Sequence, residues 1–153
     1  MTRRILRFDD VSKAMTPGKD LEGNVIEIPL DILTHQQVGL AADSTGVKYT
    51  SPYYILIPAA FLKWASEVYL EAEIEASNTD SVTAVEFYSE TAAAVRGSVS
   101  ANASVRARSD DFLANLVAGE EHSIRINVTT SSATTGATTS VRRVALILVI
   151  SVE

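Results

Sequence analysis

Over several stretches of this chain apolar and polar residues trade places with a period of two. The clearest runs from Glu67 to Ala76, where Val68, Leu70, Ala72, Ile74 and Ala76 alternate with Glu67, Tyr69, Glu71, Glu73 and Glu75. A helix would scatter those acids around its circumference, whereas a strand gathers the apolar residues on one side, so the pattern predicts a half-buried strand from about Glu67. Asn78-Thr79-Asp80-Ser81 reads as a turn, and Val82 to Ser89 as a returning strand with Val85 and Phe87 on one face. The two strands are expected to form a hairpin. His122 to Thr130 alternates again, with Ile124, Ile126 and Val128 inward.

Other segments complete the pattern. Asn24 to Leu30 is rich in β-branched residues, and Pro29 assigns it to a sheet edge or a strand end. Asp31 to Gly39 fits strand or irregular chain. Tyr53-Tyr54-Ile55-Leu56-Ile57, between Pro52 and Pro58, predicts a short buried strand. Ala59 to Ala65 fits a helix, with Phe61, Trp64, Ala65 and Val68 on one face, as well as it fits a strand. Short runs follow at Ala94 to Val99, Ala103 to Arg108 and Asp111 to Val117, and Thr129 to Ser140 is an uncharged Ser/Thr/Ala/Gly loop. Many short strands with no long helices between them predict an all-β domain, an antiparallel β-sandwich of jelly-roll type over residues 21–153, preceded by an N-terminal arm over 1–20.

The last strand, Val141 to Val152, breaks the alternation. Val144, Leu146, Leu148, Ile150 and Val152 lie on one face, and Ala145, Ile147 and Val149 on the other. A strand wet on one side alternates, so an apolar residue at every step implies cover on both sides. Burying Ile147 and Val149 fully is worth about 1.5–3 kcal/mol each. The cover is expected from the arm, through Ile5, Leu6 and Phe8, or from a neighbouring copy. Ile5, Leu6, Phe8, Ala145, Ile147 and Val149 are thus the candidate assembly contacts.

Composition narrows the function. The 153 residues fit one domain, and 46% hydrophobic with 21% charged residues is ordinary globular usage. The absence of cysteine excludes thiol catalysis, disulfide frameworks and thiolate metal sites. A formal net charge of −6 disfavours nucleic-acid binding by the body of the domain. Arg3, Arg4 and Arg7 make the first residues locally basic, suited to a solvated arm or to docking on an acidic neighbour. No apolar run of signal-peptide length follows them, and Val144 to Ile150 is too short to span a bilayer as a helix, so a soluble protein that does not enter membranes is expected.

Candidate chemistry is sparse. Gly18-Lys19-Asp20 lacks the flanking residues of a phosphate-binding loop, and the two histidines, His35 and His122, have no helical partners for a metal. No nucleophile elbow accompanies the serines. Glu71, Glu73 and Glu75 project from one strand face at intervals of roughly 6.5–7 Å, a carboxylate separation that glycosidases use. Like charges so placed equally call for cations across the sheet, and Arg96, Arg106, Arg108, Arg125, Arg142 and Arg143 are available. A charge-paired outer face, or else a calcium site, is preferred to catalysis. No cofactor is expected. Tyr69, Glu71 and Glu73 form the candidate face for a glycan ligand.

The strands at Val68 to Ala76, Val82 to Tyr88, Val95 to Val99, Val105 to Ser109 and Glu121 to Val128 resemble those of jelly-roll accessory modules, over about Glu67 to Val152. Such modules look like carbohydrate-binding domains and recur in viral and filament structural proteins. The resemblance implies a scaffold and transfers no ligand residues. The expected function is a non-enzymatic, homo-oligomeric structural or assembly protein, such as a virion coat, decoration or filament subunit, acting through apolar strand faces and the arm. The alternative is a carbohydrate-binding module.

Overall fold

A computed structural model describes residues 25–33, 37–131 and 136–151. The described residues form ten strands: β1 (Val25–Leu33), β2 (Gln37–Ala41), β3 (Gly46–Thr50), β4 (Ile55–Leu56), β5 (Glu67–Ala76), β6 (Ser81–Ser89), β7 (Ala94–Ala101), β8 (Val105–Arg108), β9 (Glu121–Thr130) and β10 (Thr138–Ser151). Among the described residues one helix, α1 (Ala59–Trp64), and a 3₁₀ turn at Leu113–Asn115 interrupt them.

The strands form two antiparallel sheets. The first has the order β1-β10-β5-β8, with β2 also on β10; the second has the order β3-β9-β6-β7, with β4 also on β9. Outward from the β6–β7 connection the pairs are β6 with β7, β5 with β8, β3 with β9 and β1 with β10. This palindromic pairing is that of a long hairpin folded over into the two layers of an antiparallel sandwich. β1 is an edge strand, which accounts for its tolerance of Pro29.

The core lies between the layers. Val68, Leu70, Ala72 and Ile74 of β5 and Val144, Leu146 and Leu148 of β10 face Val85, Phe87, Ile124 and Ile126 of the second sheet. The alternation of β5 and β9 thus has the predicted cause. Phe112 closes one side, packed against Phe87 at 5.8 Å between ring centroids and lying beneath Gly97. A β-carbon at Gly97 would sit 2.4 Å from the Phe112 ring, so this close approach requires glycine.

Four expectations need correction or resolution. β5 and β6 are not a hairpin, because the Asn78–Asp80 turn carries the chain from one sheet to the other and β6 pairs with β7 and β9 instead. Residues 59–64 are helical, opened by Pro58, with Phe61, Leu62 and Ala65 against the core while Trp64 points outward. The run Asp111 to Val117 is a loop with a 3₁₀ turn, held by Asp111, whose Oδ1 accepts from the amides of Val68 and Leu113. Tyr53 to Ile57 is not a buried strand: only Ile55 and Leu56 pair with β9, and of the five residues Ile57 alone is fully buried.

Candidate functional site

The outer face of the first sheet carries most of the residues singled out from the sequence. In register across it stand Asp31, Pro29 and Glu27 of β1, Ala145, Ile147 and Val149 of β10, Glu71, Tyr69 and Glu67 of β5, and Arg108 of β8 opposite Glu71. Glu71 is the hub. Its side chain is 8% exposed, Arg106 and Arg108 both donate to it, and Arg143 approaches to 3.7 Å. Arg108 Nη2 lies 3.0 Å from Glu71 Oε2, and Arg108 reaches on to Glu27 at 2.8 and 3.1 Å, while Arg143 reaches Asp31 at 2.7 Å. Burial opposes ionisation of Glu71, but the hydrogen bonds and charges of Arg106 and Arg108 outweigh it and hold the carboxyl below its usual range. Glu27 is lowered by its hydrogen bond to Arg108, and the same bond raises Arg108.

This is the charge-paired face that the sequence suggested. A carboxylate kept ionised by two arginines is a poor proton donor, so Glu71 is unsuited to the general-acid half of a carboxylate pair. Glu75 is engaged by Arg142 at 2.7 Å. The Glu73 side chain makes no hydrogen bond or ion pair to a described residue and lines a shallow cavity of about 310 Å³ with Glu75, Arg106 and Arg142. Tyr69 is half-buried, its hydroxyl donating to Glu67 at 2.5 Å and its ring 5.4 Å from the Arg108 guanidinium. The candidate ligand face is therefore occupied by its own neighbours at Tyr69 and Glu71, with Glu73 left open. Among the described residues no three His, Asp or Glu side chains converge as a metal site.

Ala145, Ile147 and Val149 are 1%, 3% and 2% exposed in a single copy of the chain. The doubly apolar strand is thus covered on its second face within one copy. As placed, these residues offer no free patch to a neighbour. Tyr69 and Pro29 flank Ile147 in register from either side. Ile5, Leu6 and Phe8 lie outside the described residues, as does His35.

The second sheet has paired charges of its own. Arg125 lies over the Tyr88 ring at 3.3 Å and reaches Glu90 at 3.1 Å, while Ser123 donates to Glu90 at 2.5 Å and lowers its pKa. His122 is fully buried, stacked on Phe87 at 4.5 Å, with Nδ1 3.3 Å from the Ile55 carbonyl and Nε2 without a hydrogen bond, 3.6 Å from Glu120. Arg96 grips Glu120 through two hydrogen bonds of 3.0 and 2.6 Å. Burial pushes the His122 pKa down, so the fold holds the neutral ring.

The segment expected as a buried strand is instead an exposed apolar stretch on the β3–β4 edge. Tyr53, Tyr54 and Leu56 are 79%, 64% and 60% exposed. The turn carrying exposed Val117 bonds back to this segment, Gly119 donating to the Ile57 carbonyl at 3.1 Å. The available signal was the proline bracket: Pro52 and Pro58 keep the strand short, so most of its residues have no neighbour across a ladder.

No family model and no curated protein sequence matches the chain. Among solved structures it is similar to a chain of infectious bursal disease virus, Gx strain, at 10% identity and a TM-score of 0.35, over 84% of this chain and 32% of that one. It is also similar to a family two carbohydrate esterase from Cellvibrio japonicus, at 14% identity and a TM-score of 0.27, over 83% of this chain and 34% of the esterase. The chain spans about a third of the length of either structure.

Proposed function

We propose that this chain is a non-enzymatic structural or assembly subunit, of the kind used in a virion coat, decoration or filament, and that it self-associates through the exposed β3–β4 segment. The observation that carries this reading is the placement of Tyr53, Tyr54 and Leu56, three large side chains each more than half exposed in four consecutive positions. Aromatic residues concentrated at the surface are characteristic of interface cores, and leaving them wet forfeits apolar burial.

Sedimentation velocity over a concentration series tests the reading. Wild type is expected to sediment progressively faster as concentration rises, and the Tyr54→Ser/Leu56→Ser double variant to associate far more weakly with an unchanged circular dichroism spectrum. A wild type that remains monomeric throughout overturns it. The same tyrosines favour a second reading, a carbohydrate-binding module, because exposed aromatic faces suit sugar rings and Tyr69 is already engaged. Glycan-array binding lost on Tyr53→Ala would support that reading, and silence of the wild type would remove it.

A further inference from the structure

A sandwich of two open sheets has four edges, and among the described residues three of them are guarded. β1 carries Glu27, Pro29 and Asp31 and a register shift between Asp31 and Leu33, and β2, which continues the same edge along β10, shifts register between Leu40 and Gln37. The β3–β4 edge is broken by the Ser51–Tyr54 loop with Pro52, bears Lys48, and shifts register between Val47 and Tyr49. β8 is only four residues long and bears Arg106 and Arg108; past its end, Ser109 and Phe112 bond back to Leu70 and Val68. Proline, charge, bulges and shortness are the means by which sheet edges avoid pairing with other chains.

The second half of β7 has none of them. From Gly97 to Ala101 it reads Gly-Ser-Val-Ser-Ala, without charge or proline, and it runs in unbroken register from Phe87↔Gly97 to Thr83↔Ala101. Just before this stretch the Arg96 carbonyl accepts from Asn115 Nδ2 at 3.0 Å and Phe112 packs under Gly97, so the 109–116 loop covers that end. Beyond it, the outer side of Ser98–Ala101 makes no backbone hydrogen bond to a described residue. Main-chain donors and acceptors left in a row are a template for one more strand.

We infer that β7 pairs antiparallel with β7 of a second copy of this chain about a two-fold axis. The occupant follows from matching the edges. A partner strand must itself be open, uncharged and regular, and among the described edges β7 is the one that qualifies; two identical antiparallel strands are self-complementary about a two-fold. Centred on Val99, the pair sets Ser98 against Ser100, Gly97 against Ala101 and Arg96 against Asn102, so no like charges oppose one another. The second sheet then continues as β3-β9-β6-β7 followed by the same four strands of the partner in reverse order.

The inference rests on the self-association proposed above and adds a surface at the opposite edge of the same sheet. A contact of a few strand residues buries well under the ~1,000 Å² of a stable interface, so by itself it gives a weak dimer. Joined to the Tyr54 contact it gives each copy two separate interfaces, which allows open-ended arrays where one interface stops at pairs.

The chain has no cysteine, which makes disulfide capture clean. An equimolar mixture of Ser98→Cys and Ser100→Cys variants, mildly oxidised, is expected to give a mixed dimer about tenfold or more faster than a Thr129→Cys control on the exposed face of β9, because pairing raises the local thiol concentration. Wild type sedimentation and a Ser98→Lys/Ser100→Lys variant run alongside. The lysines guard the edge, and they are expected to weaken association while leaving the circular dichroism spectrum unchanged. Capture at the control rate, or undiminished association of the lysine variant, while wild type still self-associates, overturns the β7 pairing and leaves the Tyr54 contact standing. Capture at the control rate with a wild type that is monomeric at every concentration overturns both.

Discussion

Two apolar runs, Val144 to Ile150 on β10 and Tyr53 to Ile57 around β4, end in opposite environments. The first alternates nowhere and has the composition of an interface, yet both its faces are closed within one copy, Ile147 being 3% exposed. The second is bracketed by prolines and has the composition of a buried strand, yet Tyr53 is 79% exposed. The difference lies in neighbours. β10 runs between β1 and β5 over most of its length, whereas β4 is a two-residue edge pair. Hydrophobicity states what a side chain would gain by burial, and the adjacent strands decide whether it is buried.

Substitutions at the two runs should separate most widely in stability. Ile147→Ala is expected to cost about 2–5 kcal/mol by chemical denaturation, the range of buried large-to-small changes. A cost below about 0.5 kcal/mol, as at an exposed site, would erase the distinction. Gly97→Ala follows, at about 1–3 kcal/mol, because its β-carbon has no room beside Phe112. Glu71→Gln should cost about 1–3 kcal/mol by leaving Arg106 and Arg108 without their shared charge, discounted because Arg106 is half exposed.

The pH dependence sharpens the comparison on a smaller scale. His122 has a lowered folded-state pKa, so the fold favours the neutral ring: its contribution is complete above the unfolded value near 6.5 and is lost as pH falls from there through the folded value. Glu71, Glu27 and Glu90 are lowered as well, so their contribution is present above their usual value of 4.5 and is lost below it. Thermal unfolding should show two successive declines on acidification, and His122→Phe, which keeps the stack on Phe87, should remove the first and spare the second. Smallest of all, Tyr54→Ala should move stability by no more than about 0.5 kcal/mol.

Much of the fold was legible because β5 and β9 alternate strictly and Pro29 marks an edge. The pairing of β5 with β6 was not, since a turn that crosses between layers looks locally like a turn within one. The 3₁₀ turn after Asp111 was missed for a similar reason: the loop is held by the Asp111 side chain, which accepts from the backbone amides of Leu113 and of Val68 on β5. At the candidate face the acids and arginines were recognisable, but convergence on Glu71 depends on β8 lying beside β5, which no local pattern announces. The exposed tyrosines were visible as residues, and the missing strand beside them was not.

The central claim is that contact between copies runs through Tyr53, Tyr54 and Leu56 and leaves β10 undisturbed. Sedimentation velocity of wild type against the Tyr54→Ser/Leu56→Ser variant, over matched concentrations, tests it most directly. Concentration-dependent association in the wild type, strongly reduced in the variant with the fold intact, is the predicted result. Equal association of the two proteins, or a monomeric wild type at every concentration, would contradict it.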